Sequence, residues 1–176
     1  MLKAERAALR TLESHNALSV PVDVEGLAGA LGAEVRRQPF YGDVSGMLLR
    51  DGGRILIGLN ETHSERRQRF SIAHELGHLV LHRGKPLFVD HTVRVNPRDS
   101  RSATGTEREE IEANAFAAQL LMPEPLVTEA VQAVRSRARL LSDEQLVQKL
   151  AEQFDVSPQA MGFRLINLGI IDPTGM

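Results

Sequence analysis

Apolar residues recur at Leu2, Ala4, Ala8, Leu9 and Leu12, a helical spacing that predicts a first helix over residues 2–14. The segment VPVDVEGLAGALG predicts a second short helix, with Pro21 as a start signal and Gly32 as a stop. From Glu34 the pattern turns to β-type. AEVRRQPF, VSGMLLR and RILIGLN are three such runs, and Asp51-Gly52-Gly53 between the last two predicts an antiparallel hairpin. The polar stretch ETHSERRQR then leads into FSIAHELGHLVLH. Apolar residues occupy most faces of that segment, so the helix it predicts is buried on most sides, with Gly77 as its one breaker.

Beyond it, the polar, Arg- and Ser-rich run RVNPRDSRSATGT (94–106) reads as a mobile loop. EREEIEANAFAAQLLM is rich in strong helix formers and predicts a helix that Pro123 and Pro125 terminate. At least two more helices follow. One opens on a Ser142…Gln145 capping box and runs to about Phe154; the next opens on Ser157-Pro158 and closes at Gly169. The chain has no internal repeat and no low-complexity tract.

Composition narrows what these elements can do. With 176 residues, 42% hydrophobic and 25% charged, the chain is neither disordered nor fibrous, and it can bury a real core. Cysteine is absent. That removes disulfides, thiolate catalysis and iron–sulfur clusters, and it leaves His and carboxylates as the strong metal ligands. A net charge of −2 offers no whole-chain attraction to nucleic acid or to an anionic membrane. No run reaches the 18 or so apolar residues of a membrane span, and the charged, helical opening MLKAERAALRTLE does not read as a signal peptide. A cytoplasmic location is the expectation.

The chemically informative string is His74-Glu75-Leu76-Gly77-His78. Residues i and i+4 share a helix face with Cβ atoms about 5–6 Å apart, so both imidazoles can ligate one Zn2+. Glu75, one residue along, is then placed as general base for the attacking water. Gly77 costs about 1 kcal/mol in a helix interior relative to alanine, and a close approach of sheet or substrate would explain it. The carboxylate-rich helix that follows offers a third ligand from Glu107, Glu109, Glu110 or Glu112, while its apolar face is buried through Ile111, Ala115, Phe116, Ala118 and Leu121. Glu110 has a useful neighbour at i+4 in Asn114, whose amide could hydrogen-bond a ligand histidine. Glu112 is the fallback. The three-histidine zinc pattern is excluded, because Leu81 and Gly84 stand where it needs Gly and His.

RFSIAHELGHLVLH followed by EEIEANAFAAQLLMPE, with PVDVEGLAGALG upstream and FDVSPQAMGFRLINLG near the end, resembles the ImmA/IrrE family of metallo-endopeptidases. The resemblance runs from about residue 20 to 170. It implies metal ligands at His74, His78 and Glu110, Glu75 as general base, and zinc as the metal, with manganese also admissible. It further implies that the substrate is a helix-turn-helix repressor of mobile elements or stress operons, whose cleavage relieves repression. The expected fold is α+β: a small antiparallel sheet packed with a zincin-type catalytic helix, and a C-terminal helical, helix-turn-helix-like segment. The expected division is 1–126 for the metallopeptidase core and 127–176 for the C-terminal subdomain.

Several residues carry weaker readings. His82 lies one turn past His78, but ligands at 74, 78 and 82 would spread about 12 Å along the axis, too far for one ion. It reads instead as a cap on the helix end. His15, His63, His91 and Tyr41 are candidates to stabilise an oxyanion, and no spacing selects among them. Arg66, Arg67 and Arg69 either grip a substrate or form a solvated approach to the helix. Residues 142–176 hold two basic side chains against five acidic ones, a balance of −3 that argues against direct DNA binding by the last helices, the nearest basic cluster being Arg135, Arg137 and Arg139. An edge strand of the hairpin, 44–50 or 54–59, could hold a substrate extended by strand addition. The competing function is a non-proteolytic regulator that binds a repressor or DNA, with a structural or vestigial metal.

Overall fold

A computed structural model describes residues 2–91, 105–137 and 141–172. In chain order the elements are α1 (Lys3–Ser14), α2 (Val24–Ala30), β1 (Ala33–Gln38), β2 (Val44–Asp51), β3 (Arg54–Asn60), α3 (Glu65–Leu81), β4 (Leu87–His91), α4 (Gly105–Leu121), α5 (Glu124–Arg137), α6 (Asp143–Phe154) and α7 (Pro158–Asn167). This is an α+β fold. The loop expected over 94–106 lies outside the described residues except for 105 and 106, which already belong to α4.

The hairpin forms as expected. Asp51 pairs with Arg54 across Gly52 and Gly53, whose φ values of 55° and 82° are the left-handed conformations a two-residue turn requires. The sheet around it is mixed rather than wholly antiparallel. Its order is β1-β3-β2-β4, with β1 parallel to β3 and both of β2's pairings antiparallel. The hairpin strands are therefore interior. Neither 44–50 nor 54–59 is an edge available for strand addition, because β1 covers β3 and β4 covers β2. The strand at 87–91 escapes the pattern reading. Its apolar Leu87 and Val89 are exposed while Phe88 and Asp90 are buried, so its alternation puts a charge inside and apolar residues out.

Helix α3 extends a turn further toward the N-terminus than the apolar string, taking in Glu65 to Arg69 from the polar stretch. Those arginines have partners in the fold. Arg66 and Arg69 pair with Asp155 at 3.3 and 3.1 Å, Arg69 also donates to Val22 O at 3.0 Å, and Arg67 donates to Ser45 Oγ at 2.8 Å. All three make intramolecular bonds, so the approach to the helix is not a purely solvated one. From Ser71 to His78 every residue of α3 is buried, against Leu48, Ile57 and Leu59 of the sheet on one side and the other helices around it.

On α4 the buried face runs through Ala113, Phe116, Ala117, Leu120 and Leu121, whereas Ile111 is 48% exposed. Of the expected face, Phe116 and Leu121 are buried and Ala115 and Ala118 pack against the core, so Ile111 is the one residue that departs from it. Pro125 sits in the first turn of α5, where a missing N–H costs nothing, and α5 runs through the expected boundary at 126–127. The C-terminal caps form as read from the sequence. Ser142 Oγ accepts from Gln145 N while Gln145 Oε1 accepts from Ser142 N, and Ser157 Oγ accepts from Ala160 N. Arg164 of α7 is buried, donating to Met122 O at 3.1 Å, to Glu5 at 3.2 Å and to Gln119, which ties the last helix to α1 and α4. Among the described residues, no helix is long and apolar enough to cross a membrane.

Candidate metal centre

Two helices build the centre, and a glycine sets how closely they approach. A Cβ added at Gly77 would lie 3.0 Å from Ala113 Cα and 3.1 Å from its carbonyl oxygen, so α3 and α4 touch backbone to backbone there. The close approach anticipated at Gly77 is real, and the neighbour is a helix rather than sheet or substrate. Glu110 and Asn114 flank Ala113 on α4, so this contact brings both to the face that carries His74 and His78.

The three expected ligands meet. His74 Nε2 lies 3.0 Å from His78 Nε2 and 3.1 Å from Glu110 Oε2, while His78 Nε2 lies 3.4 Å from Glu110 Oε1. One donor atom from each falls within 4.8 Å of the others, a group that could hold a metal ion. These separations suit a tetrahedral ion. Arms of about 2.0–2.1 Å give tetrahedron edges of about 3.3 Å. Two buried imidazole nitrogens and a carboxylate make the donor set expected of a divalent cation site.

Asn114 also falls where the i+4 argument puts it, with Oδ1 3.0 Å from His74 Nδ1. With Nε2 facing the centre, His74 carries its ring proton on Nδ1 and donates it to that amide oxygen. The fallback ligand Glu112 points elsewhere. Its Oε2 is 3.0 Å from His82 Nε2, and the Nδ1 of His82 is 3.0 Å from His78 Nδ1. His82 does end α3 as expected, its backbone N–H donating to His78 O.

Glu75 is fully buried, and neither carboxylate oxygen has a hydrogen-bond partner among the described residues. Gly46 of β2 leaves room for it, since a Cβ there would come within 3.0 Å of Glu75 Oε1. Burial raises the Glu75 carboxyl to about 8, partly opposed by the field of His74. Glu110 goes the other way. Burial would raise it, yet its hydrogen bonds to His74 and His78 hold it down at about 2. Burial also lowers His78, whereas at His74 the burial effect is overcome by the bond to Glu110 and the charges of Asp90 and Glu75, leaving it raised.

Three further residues shape the site without a sequence signal. The Phe88 ring stacks on His78 with centroids 4.3 Å apart. Asp90, buried two residues along β4, adds negative potential at His74 and Glu75. Arg50 of β2 donates to His78 O at 3.1 Å and Lys85 O at 2.6 Å, capping the carbonyl end of α3. All three depend on where β4 pairs with β2, which no spacing announces. The oxyanion candidates do not gain support. His15 bonds Thr11 O, His63 bonds Arg67, Tyr41 is 98% exposed, and the side chain of His91 lies outside the described residues.

A family model described as Peptidase_M78, IrrE N-terminal-like domain, matches residues 28–166. No curated protein matches the chain.

Proposed function

Because the chain belongs to the Peptidase_M78 family of IrrE N-terminal-like domains, a metallopeptidase family, we propose that it is a zinc-dependent endopeptidase that cuts a peptide bond in a protein substrate. The observation that carries this reading is the convergence of His74, His78 and Glu110 within 4.8 Å beside a buried, unpartnered Glu75. A structural zinc site closes its shell with four protein ligands, whereas three ligands and an adjacent carboxylate are the provision of a hydrolase.

His74, His78 and Glu110 would hold the ion, which supplies Lewis acidity toward the scissile carbonyl and toward the attacking water. Glu75 takes the proton of that water on its carboxylate and returns it to the leaving amine. A carboxyl raised by burial is suited to both halves of that transfer, and a cation alongside brings it back toward neutrality. The outer edge of β4 has no strand partner among the described residues, and it is the edge adjoining the site through Phe88 and Asp90. An extended substrate would pair there, in place of the hairpin strands.

The substrate we assign is a helix-turn-helix transcriptional repressor, whose cleavage relieves repression. This rests on the resemblance of the chain to its family, and it would place the protein in the cytoplasm. The test begins with metal analysis of native protein and Glu110→Ala by mass spectrometry. About one zinc per native chain and much less in the variant is expected. Glu75→Gln should keep its zinc and lose about 10²–10⁴-fold in cleavage rate against a repressor substrate. Undiminished cleavage by that variant would overturn the assigned base. Tight repressor binding without cleavage by the native, zinc-loaded protein would favour a sequestering regulator instead.

A further inference from the structure

The backbone of His82 ends α3, and any residue's N–H could make that bond; the ring remains to be explained. It is 8% exposed and lies between a ligand histidine and a carboxylate, 3.0 Å from each. The sequence of partners is His78 Nδ1, His82 Nδ1, His82 Nε2, Glu112 Oε2. Resting on the metal-site reading above, we propose that His82 and Glu112 are positioning residues that fix the tautomer and orientation of His78 as a ligand.

The proton positions follow from the geometry. His78 turns Nε2 toward His74 and Glu110, so as a ligand it must carry its proton on Nδ1. That proton can be donated to His82 Nδ1 only if His82 carries its own proton on Nε2. The Nε2–H of His82 then donates to the Glu112 carboxylate, completing a chain in which every ring nitrogen has one defined role. The charge at the far end makes His82 a better acceptor, and a better acceptor makes His78 a stronger electron donor at Nε2. His74 is held differently. Its Nδ1 meets the neutral amide of Asn114, so the two ligand histidines have unequal support.

Phe88 fixes the His78 ring from one face, and its centroid is also 6.1 Å from that of His82. A packing role for His82 must therefore be separated from the hydrogen-bonding one. His82→Leu retains apolar bulk and removes the acceptor. His82→Gln retains both functions, because its amide oxygen can accept from His78 while its NH2 donates to Glu112. Glu112→Ala removes the far carboxylate, which is 47% exposed, so this variant tests the chain even where a change at His82 disturbs folding.

Zinc affinity is to be measured by competition with a chromophoric chelator, with thermal midpoints of the metal-free proteins recorded alongside. His82→Leu is expected to bind zinc about 10–100-fold more weakly than native. Glu112→Ala should lose affinity in the same direction, and His82→Gln should recover most of it. In zinc-loaded, 15N-labelled protein the His78 Nδ1–H signal should carry a hydrogen-bonded shift that disappears in His82→Leu. Native affinity in both His82→Leu and Glu112→Ala would overturn the proposal, as would a His82→Gln protein as weak as His82→Leu. A native protein that takes up no zinc would overturn the metal-site reading itself, a result distinct from variants that bind as well as native.

Discussion

Helices α3 and α6 are both well buried, but they bury different things. On α6 the inward residues are Leu146, Val147, Leu150, Ala151 and Phe154, all apolar, and a reciprocal Ser142–Gln145 cap starts the helix. On α3 the unbroken buried run from Ser71 to His78 contains two histidines and a glutamate whose oxygens have no partner among the described residues. Burying such groups costs free energy unless they are paired or coordinate a metal. Helix α6 is thus arranged for stability from apolar area, whereas α3 and α4 hold polar groups together at a cost that apolar packing elsewhere must offset. The difference teaches where a substitution should read out as stability and where as metal binding.

Removing apolar volume from the C-terminal side should give the largest effect. Phe154 is fully buried, and Phe154→Ala should cost about 3–5 kcal/mol in urea unfolding while the folded fraction still carries native zinc per chain. A loss of zinc from the folded fraction would show that the two regions are not separable.

A second change acts on the buried polar side. In the metal-free protein the Glu75 carboxyl, about 4.5 when unfolded, is raised to about 8 by burial. A raised folded value means that the neutral form is the tolerated one. Stability should be greatest below about pH 4.5, as far as this group is concerned, and fall as pH rises toward 8. Glu75→Gln has no charge to gain, so metal-free variant and native protein should diverge in thermal midpoint across that window, with the variant the more stable at pH 8. Parallel pH profiles would contradict the burial argument.

Gly77→Ala should sharpen the comparison from the other direction. The added methyl meets Ala113 backbone at 3.0 Å, and overpacking of this kind costs about 1–3 kcal/mol, partly offset by about 1 kcal/mol of helix propensity. The net change in thermal stability should therefore be small. Zinc affinity should nevertheless fall, because parting α3 from α4 moves Glu110 away from the histidines. An unchanged affinity would remove Gly77 from the account of the site. The smallest effect is expected at Ser142→Ala, about 1 kcal/mol from a lost cap, with zinc binding unaltered.

How much could be read in advance depends on the range of the interaction involved. The Ser142–Gln145 capping box, the Ser157 cap, the Gly52-Gly53 turn and the His74/His78 pair all act within four residues, and each appears in the structure as its spacing predicts. The parallel placement of β1, the strand at 87–91 and the burial of β2 and β3 as interior strands do not, because they depend on pairings between distant segments. The apolar face of α4 is legible except at Ile111, for a related reason. Its many alanines and leucines fit more than one rotation, and the contact at Ala113, opposite Gly77, selects one of them.

Glu110 and Glu112 show the division most clearly. Both stand on one helix, two residues apart, and two residues of α-helix turn a side chain through about 200°. The local spacing of Glu110 to Asn114 could favour one, and family resemblance could point to it. The tertiary approach of α3 and α4 gives both carboxylates their places: Glu110 faces Nε2 of His74 and of His78, and Glu112 stands behind His82. By itself the chain determined which chemistry was on offer, since a helix brings residues i and i+4 together wherever it forms. Only the packing of one helix on another decided which carboxylate faces the two histidines, because that choice rests on an angle of rotation no single helix carries within it.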